Sequence, residues 1–161
     1  KGRLNMTVEI ERRFLLKHDG WRNQASAPQT LHQGYISVEK ERTIRVRIIG
    51  DRAWLTLKGY ISDLSRSEFE YEIPLEHARQ MMDGMCPFKM EKRRYRVPYG
   101  GFVFEIDEYG GDNAPLIVAE IELPSEDARF EKPDWLGEEI TSDGRFTNAY
   151  LSKHPYSAWE K

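Results

Sequence analysis

Charged and apolar residues alternate along residues 8–14, near the start of the chain. The period is two, which is the period of a β-strand, so Glu9, Glu11 and Arg13 share one face and apolar side chains take the other. Same-face neighbours lie about 6.6 Å apart, and two like charges at that distance repel by about 0.6 kcal/mol in water and about 2.5 kcal/mol at an effective dielectric constant of 20. A wetted surface tolerates such a row, whereas a cavity accommodates it only together with cations.

The same charged alternation recurs along most of the 161 residues. Eight strand-like segments are predicted, bounded by Gly, Pro, Asn, Asp or Ser, and seven of them carry one charged face. The predicted strands are Thr7 to Leu16, Thr30 to Val38, Glu41 to Ile49, Ala53 to Tyr60, Arg66 to Ile73, Lys89 to Val97, Gly101 to Tyr109 and Ala114 to Leu123.

Three helices accompany the predicted strands. The first follows Pro74 and carries Met residues at near-helical spacing, which is typical of core packing. A second, short helix is predicted near Glu126 to Phe130, and a third begins at Ser142 or Asp143 and runs toward Pro155.

Short connections predict a mainly antiparallel sheet. Gly100-Gly101 and Gly50-Asp51 are typical of hairpins. The sequence therefore predicts an α+β fold of mainly antiparallel strands with a few peripheral helices. We expect residues 6–161 to form a single domain, with Lys1 to Asn5 as an upstream extension or an expression remnant.

The charged face is compatible with two arrangements of the sheet. A sheet with one face on the core and one in water produces the same alternation. The charges, however, come as same-sign pairs on single strands, such as Arg45 with Arg47 and Glu120 with Glu122. If the sheet closes with this face inward, acid pairs can ligate Mg²⁺ or Mn²⁺ and Arg or Lys pairs can clamp phosphate. The closed form therefore predicts that the interior binds a compact polyanion together with a metal ion.

Composition excludes several classes of partner and site. Lys plus Arg number 24 and Asp plus Glu number 27, so a formal charge of −3 gives no global attraction for nucleic acid or an anionic membrane. Cys86 is the only cysteine, which excludes an internal disulfide and fits a reducing compartment. No apolar run approaches the length of about 20 residues that a membrane span needs. We expect a cytoplasmic protein, and the sequence does not indicate its oligomeric state.

The residues resemble the CYTH, or triphosphate tunnel metalloenzyme, superfamily, whose mark is an N-terminal ExExK strand. Here the motif is Glu9-x-Glu11-x-Arg13, with Arg in place of Lys. The spacing alone is weakly specific, but the resemblance continues in order along nearly the whole chain. It runs through Gln33-Gly34-Tyr35, Arg45-Val46-Arg47, Leu55 to Gly59, Ser65 to Glu72, Lys92-x-Arg94-Tyr95, Glu105-Ile106-Asp107, Ala119 to Glu122, Trp135-Leu136-Gly137 and Asp143 to Asn148.

The resemblance implies an eight-stranded closed β-barrel, a tunnel that binds a triphosphate and a divalent metal, Mg²⁺ or Mn²⁺. The metal ligands it implies are Glu9, Glu11, Glu120 and Glu122. The phosphate ligands it implies are Arg13, Arg45, Arg47, Lys58, Lys92 and Arg94. Residues that line the tunnel or orient these ligands are Arg66, Glu68, Glu70, Glu72, Glu105, Asp107 and Arg145, and Arg96 is expected near the tunnel mouth.

The start of the chain resembles the bacterial inorganic triphosphatases, so hydrolysis of tripolyphosphate to pyrophosphate and phosphate is the first hypothesis. No residue is assigned as the group that activates water. Alternatives are a hydrolase or cyclase of an organic triphosphate (thiamine triphosphate, a nucleoside triphosphate, an RNA 5′ end, or ATP cyclised to cyclic AMP), a non-catalytic polyphosphate or nucleotide sensor, and a structural β-domain. No aromatic and polar cluster is assigned as a base pocket, which favours the inorganic substrate.

Overall fold

Nine β-strands and two α-helices form the fold in the computed structural model, which describes residues 7–160. The strands are β1 (Val8–Leu16), β2 (Gln29–Glu39), β3 (Arg42–Ile49), β4 (Arg52–Tyr60), β5 (Ser65–Ile73), β6 (Phe88–Tyr99), β7 (Phe102–Tyr109), β8 (Ile117–Glu122) and β9 (Leu136–Glu139). The helices are α1 (Leu75–Met85) and α2 (Asn148–Lys153). No helix in this range has the length and apolar character of a membrane span. The prediction for Lys1 to Asn5 falls outside the described residues.

Strand β1 closes the sheet into a barrel. The neighbours run in the order β5-β4-β3-β2-β6-β7-β8-β1, and β1 also pairs with β5. Along one edge of β1, Arg13 lies opposite Glu120 of β8, and along the other, Glu9 lies opposite Arg66 of β5. Every pairing is antiparallel, and β9 adds a strand beside the C-terminal part of β1. The predicted eight-stranded closed barrel is therefore confirmed, with β9 as an additional strand outside it.

The apolar face of the sheet points outward and is covered by other parts of the chain. Over β1, β6, β7 and β8 the cover consists of the 3₁₀ segment Asp19–Gln24 and residues 124–136, which bury Trp21 and Trp135 in one core. Fully burying a large apolar side chain contributes about 1.5–3 kcal/mol. Since these two segments take the apolar face, the charged face is left for the barrel interior.

Helix α1 covers the outer face of β2, β3 and β4, and the predicted first helix is confirmed. Ala78 and Met82 of α1 pack against Val46 and Ala53 of the barrel. At Gly34 on β2 an added Cβ would lie 2.7 Å from the Met82 sulfur, so the close approach of helix and sheet requires glycine there.

The predicted short helix near Glu126 to Phe130 is wrong, and β9 was not predicted. Residues 126–130 form a turn followed by irregular chain. Ala128 and Phe130 pack onto the outer core from this irregular segment, between Pro124 and Pro133. Tertiary packing, rather than local helix propensity, therefore decides the conformation of this stretch.

The predicted third helix is divided in two. A 3₁₀ turn, Gly144–Phe146, is followed by Thr147 in an extended conformation, and α2 begins only at Asn148. The Thr147 side chain accepts a hydrogen bond from the Tyr150 N–H, which caps α2. Asp143 caps the 3₁₀ turn and Thr147 caps α2, so the predicted helix contains two separate starts.

The C-terminal segment fills part of one end of the barrel. Phe146 and Leu151 pack with Met90 and Val118, which have the inward phase of their strands. Arg13 of β1 also donates a hydrogen bond to the Phe146 carbonyl oxygen. The charged interior therefore lies between this end and the opposite mouth.

Candidate functional site

Charged side chains on the inner face of the barrel form ion pairs. Lys58 Nζ lies 2.8 Å from Glu9 Oε1, and Arg13 Nε lies 3.1 Å from Glu120 Oε2. Each pair joins an expected phosphate ligand to an expected metal ligand. Each pair is neutral when no ligand is bound, and a metal ion can replace the cation of the pair while a phosphate oxygen replaces its carboxylate.

A cavity of about 290 Å³ opens among these charges and is termed the acidic cavity. Seven carboxylates and four Lys or Arg side chains line it. The carboxylates are Glu9, Glu11, Glu68, Glu70, Glu105, Glu120 and Glu122, the cations are Arg45, Arg47, Lys58 and Arg94, and Asn148 completes the wall. The structure thus brings together all four expected metal ligands and four of the six expected phosphate ligands.

Glu11 has a buried carboxylate beside two other carboxylates. Burial raises its pKa well above the ordinary value, and neighbouring Glu120 and Glu9 raise it further. Glu9 differs, because Lys58 outweighs the effect of burial and lowers the pKa of Glu9 to about 2. Bound positive charge would relieve the repulsion at Glu11.

The donors of the acidic cavity fit a hard divalent cation in their chemistry. All of its acidic groups are carboxylates, the ligands that Mg²⁺ and Mn²⁺ prefer. Within residues 7–160, however, the Asp, Glu, His and Cys side chains form no ready-made cluster of three metal ligands. Glu9 and Glu120 are turned toward Lys58 and Arg13, so metal binding requires them to exchange those partners.

The guanidinium groups of the acidic cavity crowd one another as the carboxylates do. Burial lowers the pKa of Arg47, and nearby Arg45 and Arg94 lower it further, to about 9. Arg45 is 7% exposed, and its buried Nε–H has no hydrogen-bond partner within the described residues. Crowded guanidinium groups with an unsatisfied donor are an environment that a bound polyanion stabilises.

Lys92 and Asp107 lie beneath the wall of the acidic cavity, and both side chains are 0% exposed. Lys92 Nζ donates to Asp107 Oδ2 at 2.6 Å, and Asp107 also accepts two hydrogen bonds from Arg94, at 2.8 and 2.9 Å. Burial lowers the pKa of Lys92 to about 7, although Asp107 opposes this shift. In this arrangement Lys92 holds Asp107, which in turn orients the Arg94 guanidinium.

A second cavity, of about 600 Å³, continues from the acidic cavity toward the C-terminal segment and is termed the basic cavity. The two cavities share Glu11, Arg45, Lys58 and Asn148. Seven Lys or Arg side chains and three carboxylates line the basic cavity. Its cations are Arg13, Lys40, Arg45, Lys58, Arg66, Arg145 and Lys153.

The residues expected to line or support the tunnel are distributed over both cavities. Glu68, Glu70 and Glu105 line the acidic cavity, Arg66 and Arg145 line the basic cavity, and Asp107 lies beneath the wall. Glu72 instead pairs with exposed Arg52 at 2.8 Å, outside both cavities. Arg145 is exposed and pairs with Asp143 at 2.7 Å, and Arg96 is exposed and pairs with Glu105 at 3.2 Å.

Two polar residues that the sequence analysis did not assign hold the guanidinium groups in place. Gln33 Oε1 accepts a hydrogen bond from Arg47 Nε at 2.9 Å. Thr56 Oγ1 accepts one from Arg45 at 3.2 Å and donates one to Glu70 at 3.0 Å. Both residues share the inward phase of their strands, and that phase is the signal by which they could have been found.

Asn148 brings α2 into the site. Its Oδ1 accepts hydrogen bonds from Lys92 Nζ at 3.1 Å and from the Tyr109 hydroxyl at 2.5 Å. These partners are 56 and 39 residues away in sequence. No periodic pattern predicts this contact, because it depends on how α2 packs against the end of the barrel.

The CYTH domain family matches residues 7–149, which include every strand and every residue that lines the acidic cavity. The chain therefore belongs to the CYTH domain family.

Two relatives are similar over nearly their whole lengths. An inorganic triphosphatase from Acetivibrio thermocellus is 41% identical over 157 residues, which are 97% of this chain and 100% of the relative. An inorganic triphosphatase from Nitrosomonas europaea is 35% identical over 150 residues, 90% of this chain and 97% of the relative.

Solved structures share the fold. The crystal structure of the inorganic triphosphatase NE1496 is 33% identical, with a TM-score of 0.63, and the match covers 89% of this chain and 93% of that one. The structure of the PH1012 protein from Pyrococcus horikoshii is 19% identical, with a TM-score of 0.60, and covers 74% of this chain and 80% of that one. At that identity the second likeness shows the fold alone.

Proposed function

We propose that this chain hydrolyses inorganic triphosphate to pyrophosphate and phosphate inside the barrel, with a divalent metal, Mg²⁺ or Mn²⁺. The observation that carries the proposal is the meeting of crowded guanidinium groups, around Arg47, and crowded carboxylates, around Glu11, in one interior cavity. Membership of the CYTH domain family and two relatives that are named inorganic triphosphatases support the choice of substrate.

The cations of the interior bind the phosphate oxygens in this proposal. The set is Arg13, Arg45, Arg47, Lys58 and Arg94, with Lys92 acting on the phosphates through Asp107 and Arg94. The unpartnered Nε–H of Arg45 gains an acceptor when a phosphate oxygen binds. Negative charge on the phosphoryl oxygens is redistributed in the transition state, and guanidinium groups already fixed in place stabilise it without reorganisation.

Glu9, Glu11, Glu120 and Glu122 are the residues that would hold the metal. When bound, a divalent metal polarises phosphate oxygens as a Lewis acid. To bind the metal, Glu9 would release Lys58 and Glu120 would release Arg13. Each freed cation would then be available to a phosphate oxygen. Filling the tunnel thus exchanges internal ion pairs for contacts with ligands of opposite charge.

We also propose that residues 6–161 act as one tunnel domain on a small-molecule triphosphate. The reaction takes place in the cytoplasm, a reducing compartment in which the single cysteine, the buried Cys86, stays a free thiol.

Phosphate release from tripolyphosphate tests the proposed function. We expect release with Mg²⁺ or Mn²⁺ and none with a chelator. The same assay on ATP and thiamine triphosphate, with a measurement of cyclic AMP, compares the organic substrates at equal concentration. Faster turnover of an organic triphosphate would contradict the inorganic assignment, and tight binding of tripolyphosphate without turnover under either metal would favour a sensor.

A further inference from the structure

The two connected cavities have opposite charge. Carboxylates outnumber cations in the acidic cavity by seven to four, whereas cations outnumber carboxylates in the basic cavity by seven to three. Glu68, Glu105 and Glu122 line only the acidic cavity. When no metal neutralises these carboxylates, a polyanion between the two cavities is therefore drawn toward the basic cavity.

The cations of one wall of the basic cavity are held by an aromatic ring. Lys40 Nζ lies 3.9 Å from the centre of the Tyr60 ring, and Arg66 Cζ lies 5.0 Å from it. The Tyr60 hydroxyl donates a hydrogen bond to Asp63 at 3.0 Å, which fixes the ring at the edge of the cavity. Two positive charges are thereby placed at this edge beside a single lining carboxylate, Asp63, and both charges act on Asp63.

Another wall of the basic cavity comes from the C-terminal segment. Arg145 is neutralised there by Asp143 at 2.7 Å. Lys153, at the end of α2, is exposed, and its Nζ lies 5.8 Å from the centre of the Phe88 ring. Lys40, Arg66 and Lys153 thus leave positive charge on two walls of a cavity large enough for an anion.

We propose that the basic cavity is a second anion site, which takes pyrophosphate as it leaves the tunnel. The identity of the anion rests on the proposed function, in which pyrophosphate is the larger and more highly charged product. Arg45 and Lys58 line both cavities, so an anion can pass between them without losing all of its cationic contacts.

Two substitutions remove charge from the basic cavity without altering the tunnel interior. Lys40→Gln and Lys153→Gln, combined in one variant that is termed the rim variant, act at exposed side chains that line the basic cavity. The matched control combines Lys89→Gln with Lys132→Gln, which removes the same charge at exposed positions that line neither cavity.

Pyrophosphate is the probe in two measurements on the full chain. Calorimetry without metal gives its Kd, and inhibition of tripolyphosphate turnover gives its Ki. In the rim variant we expect both constants to rise about tenfold, since two charge-assisted contacts are lost, and in the control to stay within about twofold. We expect kcat to stay within about twofold in both variants, because neither pair of lysines contacts the reacting phosphoryl group.

Unchanged pyrophosphate constants in the rim variant would overturn the proposal, because the tunnel cations alone would then hold the anion. Failure of the wild type to bind pyrophosphate would overturn it too. A rise in the tripolyphosphate KM with an unchanged pyrophosphate Kd would assign the cavity to substrate entry instead. If pyrophosphate binds in a rim-dependent way but tripolyphosphate is not hydrolysed, the anion site stands and the proposed function fails.

Discussion

Lys58 donates a hydrogen bond to Glu9 inside the barrel, with 2.8 Å between Nζ and Oε1. The two residues lie on β4 and β1, which are separated in the sheet by β5. The pair lowers the pKa of Glu9 to about 2 against the effect of burial and raises that of Lys58, also against burial. Glu9, an expected metal ligand, and Lys58, an expected phosphate ligand, therefore neutralise each other until metal and phosphate bind.

Replacing Glu9 by Gln should make the metal-free protein less stable in a pH-dependent way. The pKa of Glu9 is lower in the folded chain than the ordinary value of 4.5, so its stabilisation is complete above pH 4.5 and is lost as the pH falls toward 2. We expect Glu9→Gln to lower the free energy of unfolding by about 2–3 kcal/mol at pH 7. Urea unfolding at several pH values measures the difference, and a difference equally large at pH 7 and pH 2 would contradict this explanation.

Replacing Glu11 by Gln should instead make the metal-free protein more stable at pH 7. Burial raises the pKa of Glu11, and Glu120 and Glu9 raise it further, so the folded chain holds this proton more tightly than the unfolded chain does. In metal-free protein the Glu11 contribution to stability therefore falls as the pH rises above 4.5. We expect metal-free Glu11→Gln to have a higher Tm than the wild type at pH 7, and added Mg²⁺ to raise the wild-type Tm more than that of the variant.

The control for this experiment is Glu76→Gln, an exposed carboxylate on α1. It should respond to Mg²⁺ as the wild type does. A lower Tm for metal-free Glu11→Gln than for the wild type would show that carboxylate repulsion does not dominate at this position.

Arg47→Gln should stabilise the empty protein and weaken substrate binding. The positive charge of Arg47 is disfavoured by burial and by Arg45 and Arg94, so its removal should raise the free energy of unfolding by about 1–3 kcal/mol. The same change removes a phosphate ligand in the proposed function, and kcat/KM for tripolyphosphate should fall about 100-fold. Arg93→Gln, on the exposed outer face of β6, serves as the control and should change neither quantity appreciably.

A loss of stability in Arg47→Gln would mean that its hydrogen bond to Gln33 outweighs the crowding of charges. Unchanged kinetics would remove Arg47 from the phosphate site.

Asn148 should connect α2 to the chemistry of the tunnel. Asn148→Leu leaves the buried donors of Lys92 and Tyr109 without this acceptor, which should cost about 1–3 kcal/mol of stability and lower kcat/KM. Asn148→Asp keeps an acceptor of the same shape beside Lys92 and should retain more of both. Equal losses in the two variants, measured by urea unfolding and steady-state kinetics, would show that the amide itself, rather than its acceptor oxygen, is required.

The inward faces of the strands were predictable because a strand has a period of two. Glu9, Glu11, Arg45 and Arg47 all line the acidic cavity, as their shared phase requires once the sheet closes. Closure itself does not follow from that phase, since a sheet with one wetted face has the same alternation. The resemblance to a known family, rather than periodicity, decided between the two arrangements.

The position of a side chain along the barrel axis was not predictable from the inward phase of its strand. Asp107 and Glu72 both have the inward phase, yet Asp107 is wholly buried beneath the cavity wall and Glu72 is paired with exposed Arg52. The difference depends on the stagger between neighbouring strands and on how the C-terminal segment fills one end. For the same reason the contact of Asn148 with Lys92 had no signal in the sequence.

Phosphate release from tripolyphosphate is the most direct test of the central claim. The wild type should release phosphate with Mg²⁺ or Mn²⁺ and none with chelator, and Glu11→Gln should lose at least about 100-fold in kcat under the same conditions, while Arg93→Gln keeps its activity. No release by folded wild-type protein under either metal, or full activity of Glu11→Gln, would contradict the account of this barrel as a metal-dependent triphosphatase.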